Sequence, residues 1–228
     1  MRKTAIVPVF NEEASLRDIV TRTVRMVDEV VIVDDGSTDK SPLLAVELAR
    51  QYPGKVKAIL LKKNRGKGYA IKTGLRVAKG DIVTIQDADG EYPPEQLPNV
   101  LHPLESGIAD VCFGSRFLGS FTGMSVSHYI ANRILSLLAT FMLRVKVTDV
   151  MTGAKAWLRD LCRGDDLKSS SFAIEVELTV KLLKVSHNFM EVPFHYRRRR
   201  VGKAKIKPAD FLRSIIALFR FGLSSYGR

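Results

Sequence analysis

The chain has 228 residues, 46% hydrophobic and 26% charged, with mean hydropathy near zero (+0.01); this excludes a disordered chain and suits one α/β domain with a sizeable core. Cys112 and Cys162 belong to no spaced motif and the four histidines are scattered, which argues against zinc and a redox pair and predicts free thiols in a reducing compartment; no stretch reaches the ~18 apolar residues of a membrane span. The net charge of +12 lies wholly in the second half, where residues 111–228 carry 20 basic and 8 acidic side chains against 16 and 16 in residues 1–110, so the second half is expected to meet an anionic partner such as phosphate, a membrane surface or nucleic acid.

Met1-Arg2-Lys3 leads into a short apolar run that predicts a first strand, not a signal peptide. Strands are predicted over 3–8, 29–33, 55–61, 81–86 and 110–114, and helices over 12–26, 41–52, 67–79 and 94–105. This alternation implies a mostly parallel sheet with helices on both faces, whose ligands bind beyond the carboxyl ends of the strands. Polar clusters fall at those ends. Pro8 to Glu12 follows the first strand; Asn11 suits a helix N-cap and Glu12 and Glu13 suit a helix N-terminus, so capping competes with binding as their role. Asp34-Asp35-Gly36-Ser37-Thr38-Asp39 follows the second strand and reads either as a turn with a cap or as carboxylates for a base or ribose. Asn64-Arg65-Gly66-Lys67-Gly68 precedes a helix without the Walker spacing, which leaves a generic anion site at a helix N-terminus or a solvated basic face.

Asp87-Ala88-Asp89 and Glu91 end the fourth strand, before Pro93-Pro94. Carboxylates gathered there suit Mg²⁺ or Mn²⁺ holding a diphosphate, with a solvated acidic turn as the bland alternative; Gly90 comes too early for a calcium loop. In the second half, helices are predicted from about Val126 to Leu143 and from Ala173 to Lys184, and a strand over 189–193. Arg197 to Arg200 with Lys203, Lys205 and Lys207 place seven cations in eleven residues. A last amphipathic helix, from about Pro208 to Leu223, carries Phe211, Ile215, Leu218, Phe219 and Leu223 on one broad stripe, fit for core packing or for an interfacial helix. No internal repeat, linker or second domain is visible.

In order and spacing these pieces resemble the family 2 glycosyltransferases of GT-A fold, and more narrowly the polyprenyl-phosphate hexosyltransferases of the dolichol-phosphate mannose synthase group. The segments that carry the likeness are IVPVFNEEASL, VVIVDDGSTDKS, KNRGKGYAIKTGL, GDIVTIQDADGEYPPEQLP, DVCFGSRFLG, TDVMTGAKAW, FAIEVELTVKLLK and VPFHYRRRRVGKAKI. The resemblance implies one Rossmann-like GT-A domain over 1–228, with 1–115 binding the nucleotide sugar and 116–228 the acceptor, and a basic amphipathic C-terminal extension. It implies that Pro8, Asn11, Glu12, Asp35, Lys67 and Asp87 line the nucleotide pocket. Asp87, Asp89 and Glu91 would hold Mg²⁺ or Mn²⁺. Arg116 and Arg133 would face phosphate or acceptor, Asp149 would lie near the sugar as a base or orienting group, and Arg198, Arg199 and Lys203 would meet phosphate oxygens. Asp89, Asp149, Arg116 and Arg133 are thus the expected catalytic residues.

Two departures bear on the donor. Gly90 stands where relatives often have a bulky apolar residue, and Glu91-Tyr92 replaces a Ser/Gln-His pair common in mannose synthases. The expected donor is therefore GDP-mannose, UDP-glucose or a UDP-N-acetylhexosamine, and the expected acceptor polyprenyl (dolichyl) phosphate. Many relatives carry C-terminal membrane helices; here a cytoplasmic chain is expected, held peripherally at the inner face of the membrane, with no nucleic-acid partner. The other readings are a family 2 enzyme with a hydroxyl acceptor, which needs a true base, and a basic binding module without catalysis.

Overall fold

A computed structural model describes residues 1–197 and 208–224, with the side chains of 208–210 left out. Arg198, Arg199 and Lys203, and the basic run around them, lie outside the described residues.

Seven strands form one sheet: β1 (Lys3–Val9), β2 (Glu29–Asp34), β3 (Val56–Leu60), β4 (Ile82–Ile85), β5 (Val111–Thr122), β6 (Lys155–Leu158) and β7 (Phe189–Arg197), in the order β3-β2-β1-β4-β6-β5-β7. The pairs β1–β2, β2–β3, β1–β4 and β5–β7 are parallel, while β6 runs antiparallel to both β4 and β5. Among the described residues seven α-helices follow: α1 (Leu16–Thr23), α2 (Ser41–Gln51), α3 (Lys67–Val77), α4 (Leu97–Glu105), α5 (Val126–Leu143), α6 (Ile174–Val185) and α7 (Pro208–Gly222).

The central strands are Val/Ile runs because both of their faces are covered. The period of two divides them. Ala5 and Val7 of β1 pack with α1, α2 and α4 on one face, whereas Ile6 packs with α3, α5, α6 and α7 on the other. Strands from both expected halves of the chain share this one sheet and its two cores.

Three differences from the expected elements have local causes. The first helix begins at Leu16 rather than at residue 12, because residues 13–15 form a separate turn, closed by the Ser15 and Leu16 N–H groups on the Glu12 carbonyl oxygen (3.2 and 2.9 Å). The fifth strand runs on to Thr122, past its expected end at 114; Ser115, Gly119 and Ser120 carry no strand signal, yet the backbone of β7 packs so closely that a Cβ at Gly119 would sit 2.3 Å from the Phe194 carbonyl oxygen. The short β6 was not foreseen, since four residues opening on a lysine carry too little periodicity.

One expectation about length also changes. α5 has 18 residues of mean hydropathy 1.2, enough to cross a membrane by length and composition, and only 17% of it is buried. Leu135, Ser136 and Ala139 fix one face of α5 to the core. Its Val126, Ile130, Ile134, Leu137 and Phe141 are exposed, at helical spacing.

Candidate functional site

The loops after β1, β2 and β3 are tied to one another by side chains that read as ligands in the sequence. The Asn11 N–H donates to Ser37 Oγ (2.9 Å), and Asn11 Oδ1 accepts from the Thr38 N–H (2.8 Å). The Glu12 N–H donates to Ser41 Oγ (2.9 Å). Pro8 is half-buried at the end of β1. Asp35, almost fully buried, accepts from the Arg65 N–H (2.8 Å) and the Gly66 N–H (2.7 Å), one on each oxygen. Burial pushes its carboxyl up, against the pull of those two donors. Gly66 has φ 95°, and a Cβ there would lie 2.3 Å from the Ser170 carbonyl oxygen, so the loop that Asp35 holds admits only glycine at this point. Next to it, Asp34 gives Oδ2 to the Ser37 N–H (3.1 Å), and its buried Oδ1 has no hydrogen-bond partner among the described residues. Asp34 is thus a buried acceptor facing this loop cluster, where the sequence reading placed Asp35 alone in the nucleotide pocket.

The acidic turn after β4 is joined to a buried chain of charges. Lys67, the first residue of α3, places its ammonium 2.7 Å from Asp87 Oδ1 and 2.8 Å from Glu175 Oε1. Glu175 Oε2 in turn lies 2.7 Å from the ammonium of Lys155, which is fully buried and also donates to the Thr152 carbonyl. Burial works against the Lys67 ammonium, but Asp87 and Glu175 outweigh it and hold it charged. Burial raises the Asp87 carboxyl in spite of Lys67, and the nearby Asp89 and Glu175 add to that rise. A Cβ at Gly153 would meet Asp87 Oδ2 at 2.5 Å, so that glycine is what lets the carboxylate pack where it does. Asp89 Oδ1 accepts from the Glu91 N–H (2.9 Å) and shapes the turn.

Arg116 and Asp149 form a buried two-pronged pair: Nε to Oδ2 and Nη2 to Oδ1, both 2.7 Å, with the Arg116 N–H adding 3.1 Å to Oδ2. Both oxygens of Asp149 are therefore committed to Arg116. Glu191 accepts from the Thr148 N–H (2.8 Å) and the Asp149 N–H (3.2 Å) and so fixes the loop that carries Asp149. The guanidinium of exposed Arg133, from α5, lies 5.3 Å from the Phe117 ring centre, and that of Arg116 lies 5.7 Å from the same ring. The two arginines singled out in sequence thus flank one aromatic ring.

Tyr196 links these cations to the acidic turn. Its ring centre lies 5.6 Å from the Arg116 guanidinium, and its hydroxyl hydrogen-bonds Glu91. Burial, with Glu91 beside it, pushes the Tyr196 hydroxyl well above its usual range and keeps it protonated. Tyr92 packs against both Tyr196 and Phe194 and receives the Gly153 N–H at 3.4 Å.

Oxygen donors at Asp87 and Asp89 match the taste of Mg²⁺ or Mn²⁺. Among the described residues, however, no three acidic, histidine or cysteine side chains converge as a ready metal cage. The donor set fits a cation that completes its shell with substrate phosphates. Sequence reading missed Glu175, Lys155, Tyr196 and Glu191. The signal for the first two is a charged residue inside an otherwise apolar run, Phe172-Ala173-Ile174-Glu175-Val176 and Ala154-Lys155-Ala156-Trp157.

Residues 4–164 match the family model described as glycosyl transferase family 2. The dolichol-phosphate mannosyltransferase of Pyrococcus furiosus is 30% identical over 235 residues; the match takes in 97% of this chain but only 64% of that protein. The undecaprenyl-phosphate mannosyltransferase of Micrococcus luteus is 29% identical, with 99% of this chain and 96% of that protein matched. Among solved structures, the glucosyl-3-phosphoglycerate synthase of Mycobacterium tuberculosis in complex with Mn²⁺, UDP and glucosyl-3-phosphoglycerate superposes with TM-score 0.73 at 21% identity, over 96% of this chain and 79% of that one. At that identity the likeness is one of fold.

Proposed function

The chain belongs to glycosyl transferase family 2, and we propose that it moves a hexose from a nucleotide sugar to a polyprenyl phosphate with inversion at the anomeric carbon. One observation carries the reading. Tyr196 touches both Glu91 of the acidic turn and Arg116 of the cationic pair, so groups suited to a leaving diphosphate and to an anionic acceptor lie a single side chain apart.

In this reading the loops after β1, β2 and β3 hold the nucleoside, with the unpaired Asp34 Oδ1 as an acceptor for a base or ribose donor group. Pro8, Asn11, Glu12 and Asp35 line or shape that pocket. Asp87 and Asp89, with Glu91 beside them, would hold Mg²⁺ or Mn²⁺, which supplies charge stabilisation to the departing diphosphate. Lys67 lies against Asp87 and adds a cation to the same place. Arg116, clamped by Asp149, and Arg133 present positive charge to the acceptor phosphate. An acceptor phosphate is already ionised at neutral pH and needs little help from a base. That agrees with Asp149, expected as a base or orienting group, giving both oxygens to Arg116; it acts as a positioning residue. A hydroxyl acceptor would be worse served by this geometry.

The two relatives' names specify lipid-linked phosphate acceptors, and the second half of the chain suits a lipid surface. α5 exposes Val126, Ile130, Ile134, Leu137 and Phe141, and α7 exposes Leu212, Ile216 and Phe219, with exposed Leu223 just past its end, while burying Ala217, Leu218 and Phe221. Part of the stripe expected on α7 thus packs inward, and a second stripe faces out. Basic residues near such stripes favour an interfacial helix on an anionic bilayer. Arg198, Arg199 and Lys203 are proposed to join them at the acceptor phosphate.

The donor is tested by offering radiolabelled GDP-mannose, UDP-glucose and UDP-N-acetylglucosamine with a short polyprenyl phosphate. The reading expects label in the lipid phase from one donor. Label that never leaves the aqueous phase with any of them contradicts it.

A further inference from the structure

Lys67 opens α3, where the helix dipole disfavours a cation. Its ammonium is nonetheless seated between two carboxylates, Asp87 at 2.7 Å and Glu175 at 2.8 Å, and the second of these is held by buried Lys155. The row Asp87, Lys67, Glu175, Lys155 alternates in sign and sums to zero. Asp87 Oδ1 carries Lys67, and Oδ2 packs where a Cβ on Gly153 would lie 2.5 Å away. A divalent cation that binds Asp87 through Oδ1 therefore meets Lys67 already in place.

We propose that Lys67 is the resident counter-ion of Asp87, which the metal displaces, and that Glu175, anchored by Lys155, is the seat on which the displaced ammonium stays. This rests on the metal-dependent reading above and adds to it a positioning role for Glu175 and Lys155. Two consequences follow from the charges. The metal alone binds weakly, because it must break the Lys67–Asp87 pair. A nucleoside diphosphate strengthens metal binding, because its oxygens give the displaced ammonium a new anionic partner, and the effect is reciprocal.

The test is a titration of Mn²⁺ followed by electron paramagnetic resonance, with and without GDP or UDP, on the folded protein and with no turnover. Lys67→Met removes the competitor and is expected to tighten Mn²⁺ alone on the order of tenfold, the scale on which one neighbouring charge shifts a carboxylate's proton affinity. The gain that the nucleoside diphosphate gives to Mn²⁺ affinity should shrink in the same variant. Glu175→Gln leaves Lys67 to Asp87 alone and should weaken Mn²⁺ binding, the opposite sign. Because that variant strands buried Lys155, the pair Lys155→Met/Glu175→Leu, which removes both charges, is measured beside it and should weaken Mn²⁺ in the same direction. Lys57→Met, on exposed β3, controls for net charge and should change nothing. Unchanged or weaker Mn²⁺ binding by Lys67→Met, with the parent binding Mn²⁺ and nucleoside diphosphate together, overturns this inference alone. A parent that binds no Mn²⁺ in either condition and still transfers sugar in EDTA overturns the metal reading with it.

Discussion

Asp35 shows how a motif residue serves its site through the backbone. Its two oxygens accept the Arg65 and Gly66 N–H groups and thereby set the start of α3, and with it Lys67. Asp35→Ala takes the acceptor from two part-buried donors, so a loss of about 1–3 kcal/mol is expected in urea unfolding. The donor KM should rise more than kcat falls, since the loop lies away from the reacting carbon. An unchanged midpoint would show that the loop does not depend on Asp35. Asp89 makes the opposite case. Its Oδ1 accepts the Glu91 N–H in a short turn, and Asp89→Ala should keep the fold by circular dichroism and lose on the order of 10²-fold or more in transfer, the scale of one electrostatic contact at a reacting centre. A variant as active as the parent would remove Asp89 from the mechanism. Asp35 and Asp87 stood out because acidic clusters fell at strand ends, whereas Arg116 and Asp149 were named only through the family resemblance. Their partners were not legible. Lys67 and Glu175 are 108 positions apart, and only the packing of α6 beside α3 makes them neighbours.

At the scale of elements, the parallel core of the sheet was legible because doubly buried strands are unbroken Val/Ile runs. β6 was not, for a physical reason: its first residue, Lys155, is a charge neutralised by a helix 20 positions away, and sequence patterning cannot see that compensation. α6 repeats the device with Glu177. Fully buried, it accepts from the Lys168 N–H (2.8 Å) and the Ser169 N–H (2.6 Å) and pairs with Lys181 at 2.8 Å, which pins the loop beside the start of α3. Burial tends to raise its carboxyl, but those donors outweigh it and the net shift is down. A depressed folded-state value means that the stabilisation is present above the unfolded carboxylate range, near pH 4.3, and is lost as pH falls through the folded value. The difference in Tm between the parent and Glu177→Gln should therefore be full at pH 6 and close on acidification below about pH 4. A difference independent of pH would mean that packing, not charge, is what Glu177 supplies.

For the whole molecule, internal ion pairs leave the second half's excess of +12 intact, because they draw on its own acidic residues. Arg116, Lys155 and Lys181 of the second half are spent on Asp149, Glu175 and Glu177. Association with a lipid surface should then have two separable parts, a salt-sensitive one from basic residues and a salt-resistant one from the outward stripes of α5 and α7. Vesicle sedimentation across a salt series reads both. Ile134→Ser/Leu137→Ser/Phe141→Ser, all exposed, should keep the parent's Tm and lose the salt-resistant part; retention of that part would take α5 off the membrane. The central claim concerns the acceptor, and one comparison tests it most directly. With a single labelled donor, transfer is measured to a short polyprenyl phosphate and to the polyprenol of the same length. The account predicts a glycosyl phosphodiester with inverted anomeric configuration from the phosphate and no product from the alcohol; transfer to the alcohol at an equal or greater rate would contradict it.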